Sequence, residues 1–144
     1  MRKCLATVSL GILLSLNAGG SIASADTASF QMTNGTPETI FFNLYSKSRA
    51  GFHWPAGGKR WVLNPGQKGT VVAGACQPSE LICYGAGNKD RSKSWGVSLS
   101  GKNGCANCCT HCGKSHGWNL TEHSDPPSQA HTIDDGPALQ PADD

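Results

Sequence analysis

The sequence predicts a small all-β protein: a disulfide-stapled β-sandwich or barrel of about six strands, with one short Cys-rich helical turn. Three observations carry this expectation. Short runs rich in β-branched and aromatic residues recur between turn signals. No long segment shows a helical period. Six cysteines remain once an export signal is set aside.

Residues 1–25 read as that signal, a peptide that is cleaved. Arg2 and Lys3 precede "LATVSLGILLSL", an apolar run shorter than the roughly 20 residues a bilayer span needs. "SIASA" then supplies Ala23 and Ala25 as the small residues before a cut. Cleavage after Ala25 leaves a chain starting at Asp26 and removes Cys4. No later segment is apolar enough to span a membrane. The expected location is secreted or periplasmic, where an even set of cysteines reads as disulfides. Small exported domains have limited cores and use such staples.

Residues 26–120 read as the β-rich basic domain. "ASFQMT" leads through "NGTP" into "TIFFNLYS", and Asn34-Gly35 is a hairpin signal because both residues tolerate positive φ. In the second run Ile40, Phe42 and Leu44 share one face, with Phe41, Asn43 and Tyr45 on the other. After the loop "SKSRAGFHWPAGG", "KRWVLN" turns through Pro65-Gly66, a type II pair, into "GTVVAGA". "ELICYGA" and "SWGVSLS" add two strands joined by the polar loop "GNKDRSK". Trp61 and Trp95 fall in strand-like runs and are expected to pack. Trp54 and Trp118 fall in loop-like contexts, where a ring can lid the fold or stack on a ligand.

The net charge of +2 hides a split. From Asp26 to Leu120 ten Lys and Arg face four acidic residues, giving 10 − 4 = +6. Residues 121–144 hold no Lys or Arg and six acidic residues, giving −6. This Pro- and Asp-rich stretch is expected to be a disordered acidic tail that keeps the protein soluble or screens the basic body.

"GCANCCTHCG" places Cys105, Cys108, Cys109 and Cys112 at i, i+3, i+4 and i+7, one stripe of a short helix. A helix of two turns is unstable alone, so bonds to a sheet would have to hold it. Cys76 and Cys83 can each pair with one cluster cysteine, leaving the other two to pair together. Alternatively Cys76 pairs with Cys83 and the cluster closes on itself. Six cysteines allow fifteen pairings, and spacing does not choose among them. A bridge between the adjacent Cys108 and Cys109 is strained and disfavoured.

The alternative chemistry at the cluster is metal or thiol-redox. Cys105, Cys108, Cys109, His111 and Cys112 are soft ligands suited to Zn²⁺ or Cu(I). The two Cys-x-x-Cys pairs abut, however, whereas one tetrahedral ion is usually held by pairs set well apart. A Cys-x-x-Cys can also exchange disulfides, although the strand–helix alternation of thioredoxin-like folds is missing.

No catalytic residues stand out, and no enzyme activity is expected apart from that redox alternative. The body's four acidic residues are scattered, and nucleophile-elbow, zinc-protease and phosphate-loop motifs are absent. The expected role is binding or structural, with no cofactor. The candidate contacts are Lys47, Arg49, Trp54, Lys59, Arg60, Lys89, Arg91 and Lys93, all in loops that a rigid scaffold would present. Such charge suits an anionic envelope polymer or an acidic protein. Nucleic acid is not expected, because export removes the chain from it.

Overall fold

The structure, a computed structural model, describes residues 26–122 and 138–142. The expected signal peptide and residues 123–137 and 143–144 of the expected tail lie outside the described residues.

Strand β1 (Asp26–Asn34) turns Ala28, Phe30 and Met32 to one side, each at 0% exposure, as the two-residue period of a strand requires. It is the middle of a three-stranded sheet, antiparallel to β5 (Lys68–Cys76) and parallel to β9 (Ser115–Leu120). The second sheet is built on β2 (Ile40–Ser46) and β6 (Leu81–Asn88), which pair antiparallel from Ile40↔Asn88 to Ser46↔Ile82. Two short strands, β3 (His53–Trp54) and β4 (Arg60–Leu63), succeed one another along the free side of β2. In the same way β7 (Ser94–Gly96) and β8 (Cys109–His111) share the other side of β6. A last strand, β10 (Pro141–Ala142), adds to β4.

The two sheets bury one apolar core between them. Phe30, Met32, Val71, Ala73, Trp118 and Leu120 come from the first sheet, and Ile40, Phe42, Leu44, Trp61, Leu63 and Ile82 from the second. Phe30 stacks on Trp118 with ring centroids 5.0 Å apart, and Phe42 lies 5.6 Å from Trp61. Buried aromatic rings remove roughly 150–250 Å² each from water, so these few residues dominate the energetics. Trp61 and Trp95 are both 5% exposed, as their strand-like contexts imply.

The protein is therefore an all-β, disulfide-linked, two-sheet fold. Several finer expectations differ. Ten strands occur among the described residues, the extra ones short or lacking β-branched residues. Trp118, expected in a loop, is a core residue on β9; "SHGWNL" has weak strand propensity and owes its conformation to pairing with β1. β1 and β2 belong to different sheets, so Asn34-Gly35 turns the chain between layers rather than closing a hairpin. Asn34 is fully buried because its amide donates to the Glu38 and Leu63 carbonyls at 2.7 and 2.9 Å while its oxygen accepts from Thr36. The Pro65-Gly66 turn does close, with Gln67 N donating to Asn64 O at 2.9 Å and Gly66 at φ 73°.

The cysteine stripe is not helical among the described residues. Residues 105–108 form irregular bends, and Cys109–His111 instead joins the β6 ladder. The strand satisfies backbone groups that an isolated two-turn helix would leave open, N–H donors at its start and carbonyl acceptors at its end. Part of the expected tail is also placed. Leu139 N donates to Thr70 O at 3.1 Å, and β10 pairs with Arg60 and Trp61, so residues 138–142 strap one sheet to the other.

Residues 96–103 fold back over the outer face of β2 and β6. The Ser98 carbonyl oxygen stands 1.9 Å from where a Cβ on Gly85 would lie, and Gly101, at φ 69°, packs on the Tyr45 ring. Gly85→Ala must push this backbone away, and we expect a stability loss of about 1–3 kcal/mol. Urea denaturation reads it; an unchanged midpoint would show that the segment does not pack there.

Candidate functional site

The covering segment leaves a cavity of about 410 Å³ beside it on the outer face of the second sheet. Its floor is Asn43 and Tyr45 of β2, whose side chains point away from the core by strand alternation. One wall is the turn carrying Phe52 and His53, another the approach to β4 with Lys59 and Arg60, and the third Leu99–Lys102. The walls are cross-braced by the floor. Asn43 Nδ2 donates to Lys59 O at 2.9 Å, and Tyr45 Oη donates to Leu99 O at 2.6 Å. His53 Nδ1 lies 3.3 Å from Gly51 O, which holds the ring against its own turn. Burial raises the Tyr45 pKa above its usual value, against the opposing pull of Arg60 and Arg91, so the phenol stays a neutral donor.

Three cations, Lys59, Arg60 and Lys102, line this cavity, and among the described residues no acidic side chain lines it. Lys47 stands next to it, with Nζ donating to Gly101 O at 3.2 Å. A water-filled recess lined by one sign of charge concentrates counter-ions. Its polar groups, Asn43, Ser46, Ser100 and Tyr45, can orient a ligand once charge has drawn it in.

The structure divides the sequence-derived contact set. Lys59 and Arg60 line the cavity, and Lys47 borders it. Arg49 is built into the scaffold: Nε and an η nitrogen donate to Glu80 at 2.7 and 3.0 Å, and its guanidinium lies 3.6 Å above the Phe52 ring. Trp54 is half-buried and its Nε1 donates to Gly74 O at 3.0 Å, tying β3 to β5 across the layers. Lys93 is paired with Glu38 and with Glu122 at 3.0 Å, which raises its pKa, chiefly through Glu38. Lys89 and Arg91 are exposed or nearly so and lie outside the cavity lining. Lys102, His53, Tyr45 and Asn43 did not stand out in the sequence. Tyr45 and Asn43 carried one signal, their place on the polar face of an alternating strand. Lys102 carried none, being a lone cation beside glycines.

The cysteines pair as Cys76–Cys112, Cys83–Cys109 and Cys105–Cys108. Two bridges thus reach from sheet strands into the cluster, and the remaining two cysteines pair together. The candidate metal ligands are correspondingly divided. Cys83, Cys108 and Cys109 lie within 4.8 Å of one another, while Cys112 is bonded to Cys76. His111 is exposed, with Nδ1 3.2 Å from Ser79 O. Comparison with known families, curated proteins and solved structures returns no match to this chain.

Proposed function

We propose that this chain is an exported binding domain, held by three disulfides, that takes an anionic group of an envelope polymer into the cavity between the 51–53 turn, the 58–60 segment and the 99–102 loop. The observation that carries this reading is that Lys59, Arg60 and Lys102 surround a polar floor, with no carboxylate in the lining among the described residues. The His53 and Phe52 rings add flat surface on which a sugar ring of such a polymer can rest. The apolar run at residues 5–16 and the small residues before Asp26 support export, and the disulfides suit an oxidising compartment. No catalytic step is assigned to the cavity.

The test is binding of an acidic polysaccharide at several salt concentrations. Lys59→Ala with Lys102→Ala is expected to weaken association about tenfold, the equivalent of roughly 1.4 kcal/mol. It should also flatten the salt dependence, because fewer counter-ions are released. Lys89→Ala with Lys114→Ala removes the same charge from exposed positions outside the cavity lining and should change little. Equal losses from both pairs would reduce the site to general surface charge. Saturable binding of an acidic protein but not the polysaccharide would reassign the ligand.

A further inference from the structure

The four sulfurs of two bridges form one cluster. Cys109 Sγ lies 3.7 Å from Cys108 Sγ and 3.9 Å from Cys105 Sγ, so the Cys105–Cys108 bridge is packed directly against Cys83–Cys109. Cys76–Cys112 is not part of this group. Exposure of the four cysteines is graded. Cys105 and Cys109 are half-buried, Cys108 is 2% exposed and Cys83 is 0% exposed. The turn carrying them is anchored without the bridges. Trp118 Nε1 donates to Asn107 O at 2.6 Å, and Tyr84 N donates to Cys108 O at 2.9 Å. Breaking a sulfur–sulfur bond therefore leaves the partners in place, the condition for rapid exchange within one molecule.

From this geometry we infer that the cluster is a thiol–disulfide exchange centre, in which Cys105–Cys108 receives electrons and Cys83–Cys109 is the buried acceptor. The co-substrate class is a dithiol, either small or a reduced cysteine pair of another protein. One thiolate of the dithiol attacks Cys105, and Cys108 leaves as a thiolate. The second thiol of the dithiol then displaces Cys105 and departs as a disulfide. Two electrons and two protons now reside on Cys105 and Cys108.

The Cys105 thiolate next attacks Cys109 Sγ and breaks the bond to Cys83. A Cys105–Cys109 bridge forms, and Cys83 leaves as a thiolate that takes up the proton Cys105 gave up. One disulfide is lost and one gained, so this second step needs no further reductant. Cys105 rather than Cys108 is the attacking group because a Cys108–Cys109 bridge would join adjacent residues. The outcome is a pair of reducing electrons held on Cys108 and Cys83, the two most buried cysteines of the four. This centre is independent of the basic cavity.

The experiment treats the full chain with one equivalent of dithiothreitol, quenches with acid at intervals, alkylates the free thiols and locates the label by peptide fragmentation. Label is expected first on Cys105 and Cys108. It should then appear on Cys83 as Cys105 loses it, with a Cys105–Cys109 bridge in the 103–114 peptide, while Cys76 and Cys112 stay unlabelled. The second phase should be independent of protein concentration. The Cys83→Ser chain, whose Cys109 is a thiol from the start, should shift label between Cys109 and Cys108 without any dithiol. Label confined to Cys105 and Cys108 with Cys83–Cys109 intact would overturn the proposal, as would opening of Cys76–Cys112 first.

Discussion

Replacing Cys76 and Cys112 together by serine is expected to remove about 4 kcal/mol of stability, measured by urea denaturation of the oxidised chain. The bridge closes 36 residues of sequence. In the chain-entropy account the stabilisation grows with the logarithm of that loop. It also joins the layers, since Cys76 ends β5 of the first sheet and Cys112 directly follows β8 of the second. The backbone beside it repeats the join, Gly113 N donating to Thr27 O of β1 at 2.9 Å, while Cys112 N donates to Glu80 O on the second sheet's side at 2.9 Å. Small domains are stable by only about 5–15 kcal/mol, so this one bridge decides a large share of it. The matching change at Cys105 and Cys108 closes a loop of sequence separation 3 and should cost about half as much. Equal costs would mean that loop entropy is not what these bridges contribute. A cheap Cys105–Cys108 bridge is also what an exchange entry point requires, because it can open while the fold persists.

How much of this was legible in the sequence depends on whether a residue's role was local. Ile40, Phe42 and Leu44 announced the inner face of β2 by alternation, and all three are fully buried. The long strands β1, β2, β5 and β6 were readable for the same reason. β9 was not, since its place beside β1 is set by pairing across some eighty residues of chain rather than by its own residues. The cysteine spacing matched a helical stripe, but spacing describes a segment in isolation. Cys83 lies directly opposite Cys109 on the neighbouring strand, with Cα atoms 3.9 Å apart, and that register makes the segment a strand.

The candidate site follows the same division. Lys59 and Arg60 were visible as clustered charge, and the structure places them on the cavity wall. Lys102 reaches the same cavity only because the 96–103 segment folds back over Gly85, a close approach that no charge pattern encodes. Arg49 and Lys93 looked equivalent to the others in sequence. Their carboxylate partners, Glu80 and Glu38, are 31 and 55 residues away, and those partners turn them into scaffold.

Glu80→Gln should be the second large change, costing about 3 kcal/mol. The Glu80 side chain is 0% exposed, and its carboxylate accepts from Ser46 Oγ, from two nitrogens of Arg49, and from Gln77 N at 2.7 Å. Removing one member of a buried ion pair leaves the other charge poorly compensated, at about 3–5 kcal/mol; the quarter exposure of the Arg49 side chain sets the lower end. The substitution also has a pH signature. Burial alone would raise the Glu80 pKa, but the hydrogen bonds from Arg49, Ser46 and Gln77 outweigh it and hold the carboxyl below its ordinary value of 4.5. A carboxyl with a depressed folded-state pKa binds a proton more readily in the unfolded chain. Its stabilisation is therefore complete above about pH 4.5 and declines as pH falls toward and through the folded value. The native chain should lose stability steadily in that acid range, and Glu80→Gln should lose less there than the native chain does. Urea midpoints at neutral pH and at steps below pH 4.5 measure both effects. Parallel acid curves for the two chains would show that Glu80 is not the group that titrates, and the Arg49–Glu80 bond would lose its place in holding the 46–52 turn against β6.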